Sequence, residues 1–457
     1  MSALNAPYLN MLDQLDHAPL LAVRAARLVR LRQMVAQLWP QGHPAKLIHV
    51  AGTSGKGSVT RFLEAGFSVL GAVGAATSPH IFDYRERISI NGQWATPEEL
   101  TAAWDEAVWP LAVQAGAEGP HAVPGYGHLG LLLALVVMAR HRVQWAALET
   151  GCGGRYDARM ALPVEATVLT NVGDDHRKTL GAELWQRANE KAGIARKDVP
   201  FFTSVESGPA FDVVQQTCAH IGAPLVVVGQ NKIRAIEAEI KSALGGTIPE
   251  GSLLQSAHQR ANAALALSVI TRLAPQIDRA EALRRMAMIP SAGRFQKLAD
   301  DLYIDGAHNP DKIAALARDV AARFAGRKLV FMLGLSNGRD GAEVFAPLLP
   351  QAHSIVATQP RFKGVPAELL ASSLRTAMPD IPITVEASAA HALLRARQQA
   401  ADVGGIVVAT GSMYMLDEAL NPNPYVKHLN ATYGWRWADG TNTDLHTHIN
   451  RMIQGFG

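Results

Sequence analysis

The sequence predicts an α/β protein built on parallel sheet, with a larger N-terminal and a smaller C-terminal domain. One observation is the recurrence of apolar runs rich in Val, Ile and Leu between amphipathic stretches: "KLIHVAG", "QWAALET", "ATVLTNV", "PLVVVG", "LYIDGA", "KLVFMLG", "SIVATQ" and "GGIVVATGS". Continuous apolar strands alternating with helices imply a parallel sheet covered on both faces. A second is the break at "MIPSAGRF", after which a fresh strand-helix-strand series begins, so a boundary falls near Pro290 to Arg294.

Bulk properties narrow the partners. With 457 residues, 48% hydrophobic and 18% charged, the chain suits a soluble protein with more than one core. Lys plus Arg number 43 against 40 for Asp plus Glu, which is no surplus for binding nucleic acid despite a pI near 8.8. A small-molecule partner is expected instead. Cys152 and Cys218 match neither a disulfide framework nor a zinc spacing and suit a reducing cytoplasm. The N-terminus lacks a signal-peptide layout, and the longest apolar run, "LGLLLALVVMA" from Leu129 to Ala139, is too short to span a bilayer, so no membrane segment is expected.

Taken in order, "KLIHVAG" reads as a buried strand, "GTSGKGS" as a tight turn and "SVTRFLEAGFSVLGA" as the following helix. A glycine-rich turn there aims backbone N–H groups and a helix N-terminus at one spot, the usual cradle for phosphate. The standard phosphate-loop pattern wants Ser or Thr directly after Gly-Lys, and here Gly57 intervenes. The context nevertheless points to nucleotide, with Lys56 neutralising β/γ-phosphate charge and Ser58 offering its hydroxyl to Mg²⁺. In "AALETGCGGRYDA", Glu149 ends a strand beside a second glycine-rich turn, well placed for a Mg²⁺ that bridges the phosphates. "LTNVGDDHRKTLG" then puts Asp174, Asp175 and His176 after a third strand. A lone histidine there is ordinarily a solvated loop residue; as part of a third polar strand end it becomes a metal candidate.

The helix "AELWQRANEKAGIAR" carries Glu183, Arg187, Glu190 and Lys191 at helical spacing and reads as a solvated charged face. "SAHQRANAALALSVITRL" has helical periodicity. In the C-terminal domain, "DDLYIDGAHNPDKIAALARDVAARF" is strand, polar loop and helix, with Asp305, His308 and Asn309 in the loop, and Arg294 of "SAGRFQ" is a candidate phosphate clamp. Spacing alone allows these to be structural. The tail from Asn421 is polar and without periodicity, and its His446 and His448, lacking a third ligand, read as solvated.

Together the segments resemble the folylpolyglutamate synthase and dihydrofolate synthase family, a branch of the Mur ligases. The matching motifs run in the family's order: "HVAGTSGKGSV", "TSPHIFDYRERISINGQ", "LETGCGGRYDA", "LTNVGDDHRKTLG", "NEKAGIA", "HQRANAALAL", "AGRFQ", "DGAHNP" and "GSMYML". The family loop carries the same glycine between lysine and serine, so Gly57 is its signature.

The resemblance implies a P-loop-type ATPase domain over 1–292, a smaller Rossmann-like C-terminal ligase domain over 293–420, and a polar tail over 421–457. It implies an ATP-dependent carboxylate–amine ligase with two Mg²⁺ sites, making an acyl phosphate and coupling it to an amino acid. Glutamate onto dihydropteroate or a folate is the expected pairing, in a cytoplasmic monomer. Carried over by position, Gly52, Thr53, Ser54, Gly55, Lys56, Gly57 and Ser58 bind the triphosphate; Ser58, Ser78 and Glu149 hold the first metal, and His176 the second. Lys191 aligns with the family lysine that is carbamylated, which replaces the solvated reading of its helix. Asn262 contacts the adenine side, Arg294 the phosphates, and Asp305 with His308 the nucleotide and reaction centre.

Departures cluster away from ATP chemistry. "VPGYGHLGLLLAL" lacks the family's Thr-x-Phe-Glu, Cys152 and Arg159-Met160 replace Leu and Thr-Asn, Asp174 stands where leucine is common, and "LSNGRD" lacks the usual Lys-Asp ending. They leave open the same chemistry on a non-folate carboxylate, and, in another class, a silent ATP-binding scaffold.

Overall fold

The computed structural model describes residues 6–16, 18, 24–81, 83–119, 122–123, 125–336, 339–360 and 364–420. The tail expected over 421–457, with His446 and His448, lies outside them, as do Asn337 and Gly338 of "LSNGRD". The chain divides into two compact units, with a break between Ile289 and Pro290.

The first unit is built on eight strands: β1 Lys46–Ala51, β2 Val73–Ala76, β3 Ile88–Ile90, β4 Gln93–Trp94, β5 Trp145–Glu149, β6 Ala166–Leu169, β7 Phe201–Thr203 and β8 Leu225–Val227. They lie side by side in the order β4-β3-β2-β5-β1-β6-β7-β8. From β2 to β8 every pairing is parallel, and β3 and β4 add an antiparallel edge. Side chains alternate along a strand, so β1 serves two packed layers. Leu47 clusters with Leu129 and Leu133 of the helix Tyr126–Arg140, whereas Ile48 and Val50 cluster with Phe62 of the helix Lys56–Phe67 and Leu267 of the helix Ala257–Leu273.

The long apolar run is thus a core helix: Leu129 and Leu131 to Met138 are all buried. Each such leucine contributes about 1.5–3 kcal/mol of burial. Among the described residues no helix is long and apolar enough to cross a membrane. The helix after the glycine turn opens on Lys56 and closes at Phe67, before a 3₁₀ turn over Ser68–Leu70. Its buried face carries Val59, Phe62, Leu63 and Phe67, a helical period, and Phe67 stacks on Trp145 with ring centroids 4.4 Å apart.

The second unit has six strands: β9 Gln296–Ala299, β10 Leu302–Asp305, β11 Leu329–Gly334, β12 Ser354–Thr358, β13 Ile383–Val385 and β14 Ile406–Thr410, in the order β13-β12-β11-β14-β10-β9. All pairings are parallel except β9 with β10. Phe331 and Leu333 of β11 pack to one side of this sheet, Val330 and Met332 to the other.

Candidate active site

Because β2, β5, β1 and β6 are adjacent and parallel, their carboxyl ends open on one edge of the first sheet. There the chain leaves as Thr77–Ser78, Thr150–Gly151, Gly52–Gly55 and Thr170–His176. Parallel sheets bind ligands at this edge, where strand direction aims loops and helix N-termini at one spot.

The turn after β1 is held from β6. The side-chain oxygen of Asn171 accepts hydrogen bonds from the amides of Thr53 (3.1 Å) and Ser54 (2.9 Å), and the Thr53 hydroxyl accepts from Gly173 N at 2.9 Å. Gly52 has φ 149°, and a Cβ there would lie 1.8 Å from the Thr170 hydroxyl. Gly55 sits at φ 79° directly before the helix, and a Cβ there would lie 2.7 Å from Asn262 Oδ1. Asn262 therefore rests against the turn, its amide nitrogen donating to Gln259 Oε1 at 3.1 Å. No side chain caps this helix. Its first-turn amides, at Lys56, Gly57 and Ser58, are the groups a helix leaves without intrahelical partners. Ser58 is buried at their foot. The Ser54 hydroxyl is buried and finds no protein partner among the described residues.

Glu149 is the last residue of β5, paired in register with Val50 and buried. Its Oε2 accepts a hydrogen bond from the Ser78 amide at 2.8 Å, so the structure brings Ser78 and Glu149 together. Behind it, His49 is fully buried, its Nε2 2.8 Å from the Thr150 hydroxyl and 3.6 Å from Asp157 Oδ1. Burial pushes the His49 pKa down to about 3, against a smaller upward pull from Asp157.

His176 heads the short helix Arg177–Leu180 with φ 56°, its amide donating to Asp175 Oδ1 at 2.9 Å. Its side chain is half-exposed, 3.8 Å from Asp175. Among the described residues no three His, Cys, Asp or Glu side chains gather into a closed metal cage. Mg²⁺ does not require one: it keeps waters and takes one or two carboxylates beside substrate phosphates. Glu149, a single carboxylate at the strand edge beside the phosphate turn, fits that demand.

The charged face expected on the helix Leu184–Ala192 is not a solvated one. Glu183 stays exposed at its N-cap, but Arg187 and Lys191 are buried. Lys191 Nζ donates to the Gly52 carbonyl at 3.2 Å, bringing it under the glycine turn. Burial first and the neighbouring Lys56 charge second lower its pKa to about 8. Arg187 and Asn171 were not legible as site residues. The arginine sat in an ordinary amphipathic pattern, and the asparagine's only signal was its position just past an apolar strand.

In the second unit both oxygens of Asp305 accept backbone hydrogen bonds, from Phe295 N (2.7 Å) and Ala307 N (2.6 Å). His308 Nδ1 lies 2.7 Å from the Gly306 carbonyl and so carries the proton, leaving Nε2 to accept from Lys312 Nζ at 3.0 Å. Asn309 caps the helix Pro310–Arg323 through Lys312 N at 3.0 Å. Arg294 is half-buried, with Nη1 3.5 Å from the Ala292 carbonyl.

Comparison with known proteins adds the family. Residues 293–413 match the Mur ligase, glutamate ligase domain. The dihydrofolate synthase/folylpolyglutamate synthase of Bacillus subtilis is 30% identical over 359 residues, 71% of this chain and 79% of that protein. Its counterpart in Mycobacterium tuberculosis is 30% identical over 401 residues, 77% of this chain and 82% of that one. A structure of Mycobacterium tuberculosis folylpolyglutamate synthase complexed with ADP superposes with a TM-score of 0.77 at 27% identity, covering 91% of this chain and 97% of that one. This chain belongs to the dihydrofolate synthase/folylpolyglutamate synthase family of ATP-dependent, ADP-forming acid–amino-acid ligases.

Proposed function

We propose that this chain uses ATP to activate the carboxylate of dihydropteroate or a folate and joins it to the amine of glutamate. The names of the Bacillus and Mycobacterium relatives support the acceptor, and the ADP held by the Mycobacterium structure supports the nucleotide. The observation that carries the reading is the shared strand edge. It gathers an uncapped helix N-terminus, Lys56, Ser58, the Ser78–Glu149 pair and Lys191 around one turn.

A carboxylate oxygen attacks the γ-phosphorus of ATP, the bond to the β-bridging oxygen breaks, and ADP leaves. The amine then attacks the acyl phosphate, the C–O bond to phosphate breaks, the amine's proton passes to the departing phosphate, and an amide and inorganic phosphate form. Gly52 to Ser58 wrap the phosphates, with first-turn amides and Lys56 offsetting charge on the transferring group. Mg²⁺, when bound, supplies Lewis-acid polarisation of the γ-phosphoryl oxygens. Ser58, Ser78 and Glu149 would hold one ion and His176 a second. At a pKa of about 8 a fraction of Lys191 is neutral amine, able to attack CO₂ and release its proton to solvent. The resulting carbamate replaces a repelling ammonium with an anionic ligand. Asn262 is assigned to the nucleotide side of the turn; Arg294, Asp305 and His308 are assigned to phosphate and reaction centre on the strength of their motifs.

A second reading keeps the chemistry and changes the acceptor. It is favoured by Arg159, which stands where the family has threonine and lies buried with Nη1 3.4 Å from Asp157 Oδ2. An omission assay tests both. Purified protein with Mg²⁺ and ATP should release ADP when dihydropteroate or tetrahydrofolate and glutamate are present, should stop when either is left out, and should lose the activity in Lys56→Ala. ATP turnover indifferent to every amino acid would exclude ligase chemistry. Amino-acid-dependent turnover with an unrelated carboxylate, and none with dihydropteroate or tetrahydrofolate, would select the second reading.

A further inference from the structure

We propose that Arg187 is a positioning residue that holds the loop from Gly173 to Ala182, and with it His176, in register with the phosphate-binding turn. The guanidinium is buried, with 6% of the side chain exposed, and its hydrogen bonds run to main chain at both ends of the loop. Nε donates to the Gly173 carbonyl at 3.0 Å; Nη1 donates to the carbonyls of Gly181 (3.0 Å) and Ala182 (2.5 Å). Nη2 also stands 3.7 Å from Asp174 Oδ1, beside the ion pair of Asp174 with Arg177. A planar fork is the side chain suited to closing a loop on itself in this way, because its donors diverge at fixed angles.

These bonds extend a ring that returns to the turn. Gly173, whose carbonyl Arg187 holds, gives its amide to the Thr53 hydroxyl at 2.9 Å. One helical turn beyond Arg187, Lys191 donates to the Gly52 carbonyl at 3.2 Å. The helix Leu184–Ala192 therefore bonds the turn directly through Lys191 and indirectly through Arg187 and Gly173, and Arg187 sets where the His176 loop begins and ends. His176 sits at φ 56° with a half-exposed ring. The backbone on either side fixes where that residue stands in the loop. Groups that orient a ligating residue are worth about 10- to 100-fold in metal affinity when removed.

The proposal rests on the ligase reading only for what the metal does there. Its test uses the full chain, Mn²⁺ titrated by electron paramagnetic resonance in the presence of a non-hydrolysable ATP analogue, and hydrogen exchange of the apo protein. Arg187→Lys keeps the charge and loses the fork; Arg187→Met loses both. Both are expected to bind Mn²⁺ at least about 10-fold more weakly. Both should speed amide exchange within 173–182, while exchange within 302–320 is unchanged. Should Arg187→Met fail to fold, Arg187→Lys decides alone. Wild-type Mn²⁺ affinity and exchange in Arg187→Lys would overturn the proposal. Absence of ADP release by the wild type under every acceptor would instead count against the ligase reading and leave the binding and exchange results standing.

Discussion

His49 shows what a single residue contributes behind this site. It lies within β1, bonded to the Thr150 hydroxyl and close to Asp157, while its Nδ1 is buried with no partner among the described residues. An unfolded chain protonates this histidine near pH 6.5; the folded one resists until about pH 3, because burial disfavours the charged ring. Between those values the unfolded state binds the extra proton, so the contribution is intact above pH 6.5 and is lost as pH falls towards 3. In chemical denaturation, His49→Gln is expected to lose less stability than the wild type between pH 6.5 and 4, whatever its stability at neutral pH. Parallel pH profiles would mean that His49 is not held neutral. The residue letters around it were legible to different degrees. "GTSGKGS" announces a phosphate turn through its glycines, lysine and serine, whereas Asn171 is far away in sequence and only the pairing of β1 with β6 brings it beneath that turn.

At the scale of elements, the eight long apolar runs each contain a strand, most of them buried on both faces and so needing uninterrupted hydrophobic residues, with β8 at the sheet edge the exception. The strands that escaped reading, among them β2 "VGAA", β7 "FFT" and β13 "ITV", have two to four residues each. Gly74 in β2 leaves no room for a larger residue, since a Cβ there would meet Met138 Cγ at 2.7 Å, so packing against a helix overrides the usual strand composition. The helix Leu184–Ala192 is the opposite case. Its period was legible, but the direction of its charged face was not: a lysine and an arginine at helical spacing read as surface until tertiary contacts bury them. Burial of Lys191 beside Lys56 favours its neutral amine, the form that the proposed carbamate requires. Lys191→Ala is therefore expected to lose activity by roughly 100-fold or more, in line with loss of a positioned charge at a phosphoryl-transfer centre. Acetate or another small carboxylate should restore part of it. An unimpaired variant, measured by ADP release, would remove Lys191 from the mechanism.

For the whole molecule, the two-domain α/β fold was legible from the repeated apolar strands and intervening helices, and the family from the order of its motifs along the chain. Acceptor recognition was less so. Arg159 and "GYGHLG" from Gly125 to Gly130, which depart from the family pattern, fold into the first unit with no outline that composition or periodicity could supply. The core of the proposed chemistry is transfer of phosphate to a carboxylate before the amide forms. In that route a carboxylate oxygen leaves with the phosphate. The direct measurement is a reaction with acceptor labelled by ¹⁸O in both carboxylate oxygens, with ATP, Mg²⁺ and glutamate, followed by mass analysis of the released phosphate. One ¹⁸O per phosphate for each amide formed is the expected result. Amide formation with phosphate carrying no label would contradict it.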